Sequence, residues 1–235
     1  MLARALRHDV YRLSRMLGGS HEYRKLAALR RAVTGQISLA GFDRTQSIFV
    51  HIPKTAGVSV NYALYGNLGG SHRSIAQYEL AFSARDFGRY FKFCFVRNPW
   101  DRTYSAYRFL KRGGMDEEDR RWAAGNLSGF ADFEEFVTKW LNEENVKTWM
   151  HFWPQHTLLR SRFDDRIRID YVGRFESLTS DFMYVAKRLG VDATLPRTNS
   201  SGSVASYRDA YGSKTREIVG KVYNDDVRLF DYSFT

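Results

Sequence analysis

The residues of this chain that could do chemistry gather at two points. In residues 47–60, SIFVHIPKTAGVSV, an apolar run stops at Pro53 and is followed by Lys54, Thr55, Ala56, Gly57, Val58 and Ser59. One fixed cation, two hydroxyls and a glycine-bearing turn at the start of a predicted helix make an anion cradle. Free N–H groups and the positive end of the helix dipole both favour negative charge there. The phosphate loop of nucleotide triphosphatases needs glycines ahead of its lysine. Here Val50, His51, Ile52 and Pro53 occupy those positions, so the loop holds its anion otherwise than such loops hold Mg-ATP. The second point is Arg97, which ends the apolar run YFKFCFV and opens RNPWDRTYSAYR. Asn98 predicts an N-cap, Pro99 the first helical position and Asp101 the acid of a capping box, with Ser105 on the helix that follows.

The elements that must position these cations can be read from the apolar pattern. Ile48, Phe49, Val50 and Ile52 are the β-branched and aromatic residues of a buried strand, ended by Pro53, which has no N–H for a sheet ladder. Residues 90–96 predict a second buried strand and residues 166–175 a third. Helices are expected over 59–65, stopped by Gly66, over 75–82, from 99 to Gly113, over 133–141, over 178–189 and over 214–230. Two strands that each deliver a cation into a following helix describe an open α/β sheet with its ligand at the carboxyl ends of the strands.

Composition limits the partners. The chain has 235 residues with Lys plus Arg at 36 against 26 Asp plus Glu, a net charge of +10, which favours polyanions without choosing among nucleotide phosphates, anionic glycans, nucleic acid and acidic lipid surfaces. With 43% hydrophobic residues there is apolar material for a large core, and no low-complexity linker divides the sequence, so one domain over 1–235 is expected. Cys94 is the sole cysteine, which excludes an internal disulfide and a cysteine-rich metal site. No run of 18 apolar residues encodes a membrane span. The first 35 residues form a basic helical extension ahead of a core at 47–235. Leu6, Val10, Leu13 and Leu17 share one helical face, and Arg4, Arg7, Arg12 and Arg15 interrupt any signal-peptide core. A cytoplasmic chain is therefore expected, with that face docked on its own domain or on a membrane surface.

With those residues placed, the sequence resembles the sulfotransferases that use 3'-phosphoadenosine-5'-phosphosulfate, in the carbohydrate branch related to heparan 2-O and chondroitin sulfotransferases and its bacterial members. The likeness rests on HIPKTAG at residues 51–57, FVRNPWDRTYSAY at 95–107, VGRFESL at 172–178, LPRTN at 195–199 and the ending YNDDVRLFDYSF. It implies a three-layer, mostly parallel α/β sheet flanked by helices, like that of P-loop nucleotide kinases. It implies that Pro53, Lys54 and Thr55 with the backbone of residues 56–59 hold the 5'-phosphosulfate, and that Arg97 and Ser105 grip the 3'-phosphate. The loop with Arg197, Asn199, Ser200, Ser201 and Tyr207 is where the family closes over the nucleotide.

The family often places a His or Glu base between its two phosphate motifs, and His72 stands in that interval. With an ordinary pKa of about 6.5, a neutral His can take the acceptor's proton near pH 7. His51 reads as structural, whereas His151, Gln155 and His156 are expected to meet the acceptor. No metal is expected, because a sulfuryl group carries less negative charge than a phosphoryl group and the sequence has no evident ligand cluster. The donor, its bisphosphate product and a hydroxyl-bearing carbohydrate, anionic in keeping with the basic charge, are the expected partners, and nucleic acid is not. Two other readings remain open on the residues alone: a P-loop-like nucleotide-dependent kinase, and a non-catalytic basic module that binds anionic polymers.

Overall fold

The computed structural model describes residues 5–6, 9–10, 12–13, 21–32, 35–195 and 206–234. Leu17, Arg4, Arg7, Arg15, Arg197, Asn199, Ser200 and Ser201 lie outside them. Of the predicted N-terminal apolar face, Leu6, Val10 and Leu13 are exposed. No helix among the described residues is long and apolar enough to cross a membrane. The chain divides into two compact units. The first comprises Met1–Ile52, Ala56–Val96 and His156–Thr198; the second comprises Pro53–Thr55, Arg97–Gln155 and Asn199–Thr235.

The first unit is α/β. Among the described residues it holds a three-stranded parallel sheet in the order β1 (Ser47–Val50), β2 (Phe91–Val96), β3 (Tyr171–Arg174), with Phe49 opposite Phe93 and Cys94 opposite Val172. Every residue of β1 and five of the six in β2 are buried, as an apolar run covered on both faces requires. Phe49 and Phe93 stack with ring centroids 5.0 Å apart. The Ala40–Thr45 helix packs on β1 and the Leu178–Leu189 helix on β3. The Ile75–Ala81 helix is closed by a capping box, Ser74 accepting from the Gln77 N–H while the Gln77 side chain accepts from the Ser74 N–H, which satisfies two orphan donors of the first turn.

The third strand is shorter than the alternation at 166–175 predicts. Residues ahead of β3 alternate because they fold back antiparallel on the preceding segment. Ser161 N–H donates to the Arg166 carbonyl, Arg168 N–H donates to that of Leu159, and Arg160 bridges Ile167. Asp170 then ends this excursion, because its carboxylate accepts the Lys92 N–H and pairs with the Lys92 ammonium at 2.9 Å.

The second unit is built on aromatic packing. The Pro99–Lys111 helix buries Trp100, Ala106, Tyr107 and Leu110 against Phe133, Phe136, Trp140, Phe152 and Tyr223. The single helix predicted over 214–230 is two, Ser213–Val222 and Asn224–Leu229. They part at Tyr223, which is fully buried with its phenol donating to the Phe152 carbonyl at 2.8 Å.

Gly173 lies in β3 where a Cβ would stand 2.7 Å from the Phe95 ring. Gly173→Ala should destabilise the protein by about 1–3 kcal/mol, the cost of overpacking a filled core. A lowered midpoint in equilibrium urea unfolding, at an unchanged slope, checks this; an unchanged midpoint would contradict the packing.

Candidate functional site

The chain leaves β1 into a strained turn. Lys54 has φ 70° and Ala56 has φ 64°, both in the left-handed region although neither is glycine, and such residues cost roughly 1–3 kcal/mol each and cluster at ligand-binding segments. Thr55 between them is fully buried. The helix Gly57–Tyr65 then begins, with Val58 and Ser59 in its first turn. Gly57 is needed for space: a Cβ there would fall 1.9 Å from the His51 ring. In the first unit that ring stacks on Phe49 and lies 4.1 Å, centroid to centroid, from His72. Nδ1 of His72 is 3.2 Å from the His51 carbonyl oxygen. That oxygen can only accept, so Nδ1 carries the proton and Nε2 is the basic nitrogen of the neutral ring.

In the second unit, Lys54, Arg97, Ser105 and Tyr207 line one cavity of about 420 Å³. Its wall is one face of the Pro99–Lys111 helix: Asp101, Tyr104, Ser105, Arg108 and Phe109, with Arg112 just past the end. These positions repeat at i, i+3, i+4, i+7, i+8 and i+11, which stacks them along a single helical stripe. Four cations therefore face one carboxylate, and that carboxylate is engaged. Arg97 donates from Nε and Nη2 to the two oxygens of Asp101 at 2.7 and 2.8 Å, a bidentate pair. Nη1 donates to the Lys54 carbonyl at 3.0 Å and to Ser105 Oγ at 3.2 Å. Asp101 therefore does not close the predicted capping box. Asn98 alone caps the helix, accepting from the Trp100 N–H, because a charge-assisted bidentate bond is the stronger use of the carboxylate.

Gln155 holds the other side of Arg97. Fully buried, its Oε1 accepts the Arg97 N–H and its Nε2 donates to the Arg97 carbonyl, both at 2.9 Å. Its own N–H donates to buried Asp226 at 2.7 Å. The guanidinium is fixed from both ends, by Asp101 on the side chain and by Gln155 on the backbone.

Lys54 is the unusual cation. Its ammonium sits over the Phe109 ring, 3.7 Å from the centroid. Burial and, after it, the nearby Arg97 charge lower its pKa to about 8, against the opposing pull of the Asp119 carboxylate. A cation that titrates so close to neutrality marks a functional candidate when it also lines a cavity.

The remaining predicted residues are placed as follows. His151 is buried with Nε2 3.1 Å from Asp119 Oδ1. His156 lies in the turn Gln155–Leu159, grouped with the first unit. Tyr207 reaches the cavity from the turn Tyr207–Ala210. Sequence reasoning assigned no role to Tyr104, Arg108, Phe109 or Arg112. Their helical spacing from Asp101 was the available signal. Among the described residues no group of three or more His, Cys, Asp or Glu could hold a metal ion.

Three comparisons bear on this arrangement. The sequence model described as the sulfotransferase family matches residues 42–233. A carbohydrate sulfotransferase 14 of Danio rerio is 31% identical over 115 residues, 43% of this chain and 30% of that protein, so the chain spans under a third of its length. An uncharacterized protein of Archaeoglobus fulgidus is 30% identical over 123 residues, 52% of this chain and 86% of that protein. No solved structure matches significantly.

Replacing Gln155 by Leu removes both partners of the Arg97 backbone from a closed environment. The expected loss is roughly 2–4 kcal/mol, the desolvation cost of groups left without hydrogen bonds, read as a lower guanidinium midpoint. A stability within error of wild type would mean that water replaces the amide.

Proposed function

The chain belongs to the sulfotransferase family, and from that premise we propose that it transfers a sulfuryl group from 3'-phosphoadenosine-5'-phosphosulfate to a hydroxyl of a carbohydrate. The observation that carries the reading is the cavity in which Lys54, Arg97, Arg108 and Arg112 face one carboxylate already bound to Arg97. Such an excess of cations suits a ligand with two phosphate groups and a sulfate. The carbohydrate acceptor is supported by the named relative.

The residues divide the work. Arg97, oriented by Asp101, and Ser105 hold the 3'-phosphate through charge-assisted hydrogen bonds. The Lys54 ammonium and the Thr55 hydroxyl, with the backbone of residues 56–59, hold the phosphosulfate. The acceptor oxygen attacks sulfur, forming the new O–S bond as the bond from sulfur to the bridging oxygen of the 5'-phosphate breaks. Negative charge develops on that oxygen, and Lys54 stabilises it, an electrostatic contribution worth about 3–4 kcal/mol for a single well-placed donor. The acceptor's proton goes to a base, for which His72 is proposed through Nε2. The bisphosphate is the leaving group at sulfur and stays held by Arg97 and Ser105 until it dissociates. Tyr207 and Tyr104 offer ring faces for the adenine, and Arg197, from the loop that closes over nucleotides in this family, completes the proposed donor set. Acceptor contacts by His151 and His156 complete the proposal, whereas Gln155, spent on the Arg97 backbone, acts through that residue.

Calorimetric titration with adenosine 3',5'-bisphosphate should give metal-independent binding that is at least about tenfold weaker for ADP and is lost in Arg97→Ala, since a charge-assisted hydrogen bond to the 3'-phosphate is worth about 1.5–3 kcal/mol and about 1.4 kcal/mol is tenfold. Equal affinity for ADP and Mg-ATP would place the chain with kinases instead. Lys54 works as the ammonium, and its pKa in the free protein is about 8. The value of kcat/KM should therefore fall as pH rises through about 8. The kcat limb should lie higher, because the bound polyanion favours the protonated amine. A flat profile from pH 7 to 10 would remove Lys54 from the chemistry.

A further inference from the structure

His151, given above only an acceptor contact, and the buried acid Asp119, given no role, connect through Phe109 to Lys54. Asp119 is 3% exposed and accepts the Met115 N–H at 2.9 Å. It is brought back toward the Pro99–Lys111 helix by the turn at Gly113 and Gly114. Gly114 has φ 67° and a Cβ added to it would stand 2.1 Å from the Asp119 side chain. The carboxylate can only accept, so it fixes the proton of His151 on Nε2, 3.1 Å away. The imidazole, 7% exposed, meets Phe109 edge to face with centroids 5.0 Å apart and planes at 65°. Phe109 in turn carries the Lys54 ammonium 3.7 Å from its centroid.

We propose that Phe109, braced by His151 and Asp119, is a positioning residue that seats the Lys54 ammonium in the cavity. The inference rests on the role given to Lys54 above. The problem it answers is physical. Lysine is a compact charge on a flexible four-carbon stem, and here its neighbour Arg97 repels it. Among the described residues no carboxylate pairs with it within 4 Å. An aromatic face attracts a cation through its quadrupole, more strongly when water is excluded, and does so without neutralising it. A carboxylate in that place would hold the amine as firmly but would cancel the charge that the departing bisphosphate needs. An edge-to-face neighbour sets the ring plane, and the bond to Asp119 sets the neighbour. The charged and titratable groups that share the cavity with Lys54 are Arg97, Asp101, Tyr104, Arg108, Arg112 and Tyr207, with Asp119 acting from the Glu117–Asn126 helix.

The test titrates Lys54 itself in the full chain. Amine labelling by an isotopic acetylating reagent is followed by mass spectrometry from pH 6 to 11, in wild type, Phe109→Leu and Phe109→Tyr. Phe109→Leu keeps an apolar side chain and removes the ring face, so the charged amine loses an attraction. Its midpoint should fall by about half a unit to one unit, the equivalent of a cation–π contact of about 1 kcal/mol. Phe109→Tyr should restore it. The fall in kcat/KM with rising pH should move down by the same amount in Phe109→Leu. An unchanged Lys54 midpoint in a folded Phe109→Leu protein overturns the proposal, even if that protein is less stable, because a merely structural role does not move the titration. Should the leucine variant fail to fold, Phe109→Met removes the same ring face and decides in its place. Calorimetry with adenosine 3',5'-bisphosphate on wild type separates the two readings. Absent binding with a shifted midpoint would reject the donor assignment and leave the seating of Lys54 standing. Normal binding with no shift would do the reverse.

Discussion

Lys54 and Arg97 are like charges held in one cavity, and the second unit is arranged to sustain that repulsion. The guanidinium donates to the carbonyl of the very lysine it repels. Asp101 takes the other edge of its fork, and Gln155 closes both backbone groups of the residue. The ammonium has no such carboxylate. Burial and Arg97 leave its charged form only modestly favoured at neutral pH. A site that concentrates unneutralised positive charge is unstable by itself and is relieved by a polyanion, so polyanion binding and stability are linked.

Local backbone strain is the second expense. The turn after β1 places Lys54 and Ala56 in left-handed conformations that glycine would adopt freely. Glycine at either place would enlarge the unfolded ensemble and, at 54, would remove the amine. The glycine that is present, Gly57, answers a different demand, the closeness of the His51 ring. Gly57, Lys54 and Thr55 in HIPKTAG are thus constrained by separate interactions: a ring against a Cα, a cation against an aromatic face, a buried hydroxyl between two strained residues.

Much of this was legible in the sequence. The runs IFV and FKFCFV have the composition of doubly covered strands, and both became buried parallel neighbours within a residue or two of the expected limits. The Pro99–Lys111 helix follows from Asn98 and Pro99, whose backbone chemistry is local. Less legible were features that depend on distant partners. The strand expected over 166–175 is borne out at residues 171–174, whereas the alternation at 166–168 has the period of a strand but folds back on residues 159–161. The helix near the chain end is interrupted at Tyr223, a buried residue whose phenol donates to the distant Phe152 carbonyl. Asp101 suits a capping box by spacing and is taken by Arg97, one residue beyond the strand.

The division has a physical reason. The sequence by itself determined the chemistry on offer: which cations follow which apolar runs, where helices can start, and a positive charge excess that selects polyanions. Those are short-range properties of composition, period and capping. Only the tertiary structure decided which groups share a cavity and in what electrostatic state. That Phe109, Arg108 and Arg112 join Lys54 and Arg97, that Gln155 supports Arg97, and that the Lys54 pKa falls to about 8 all depend on burial and on through-space distances. Neither quantity is a function of sequence separation.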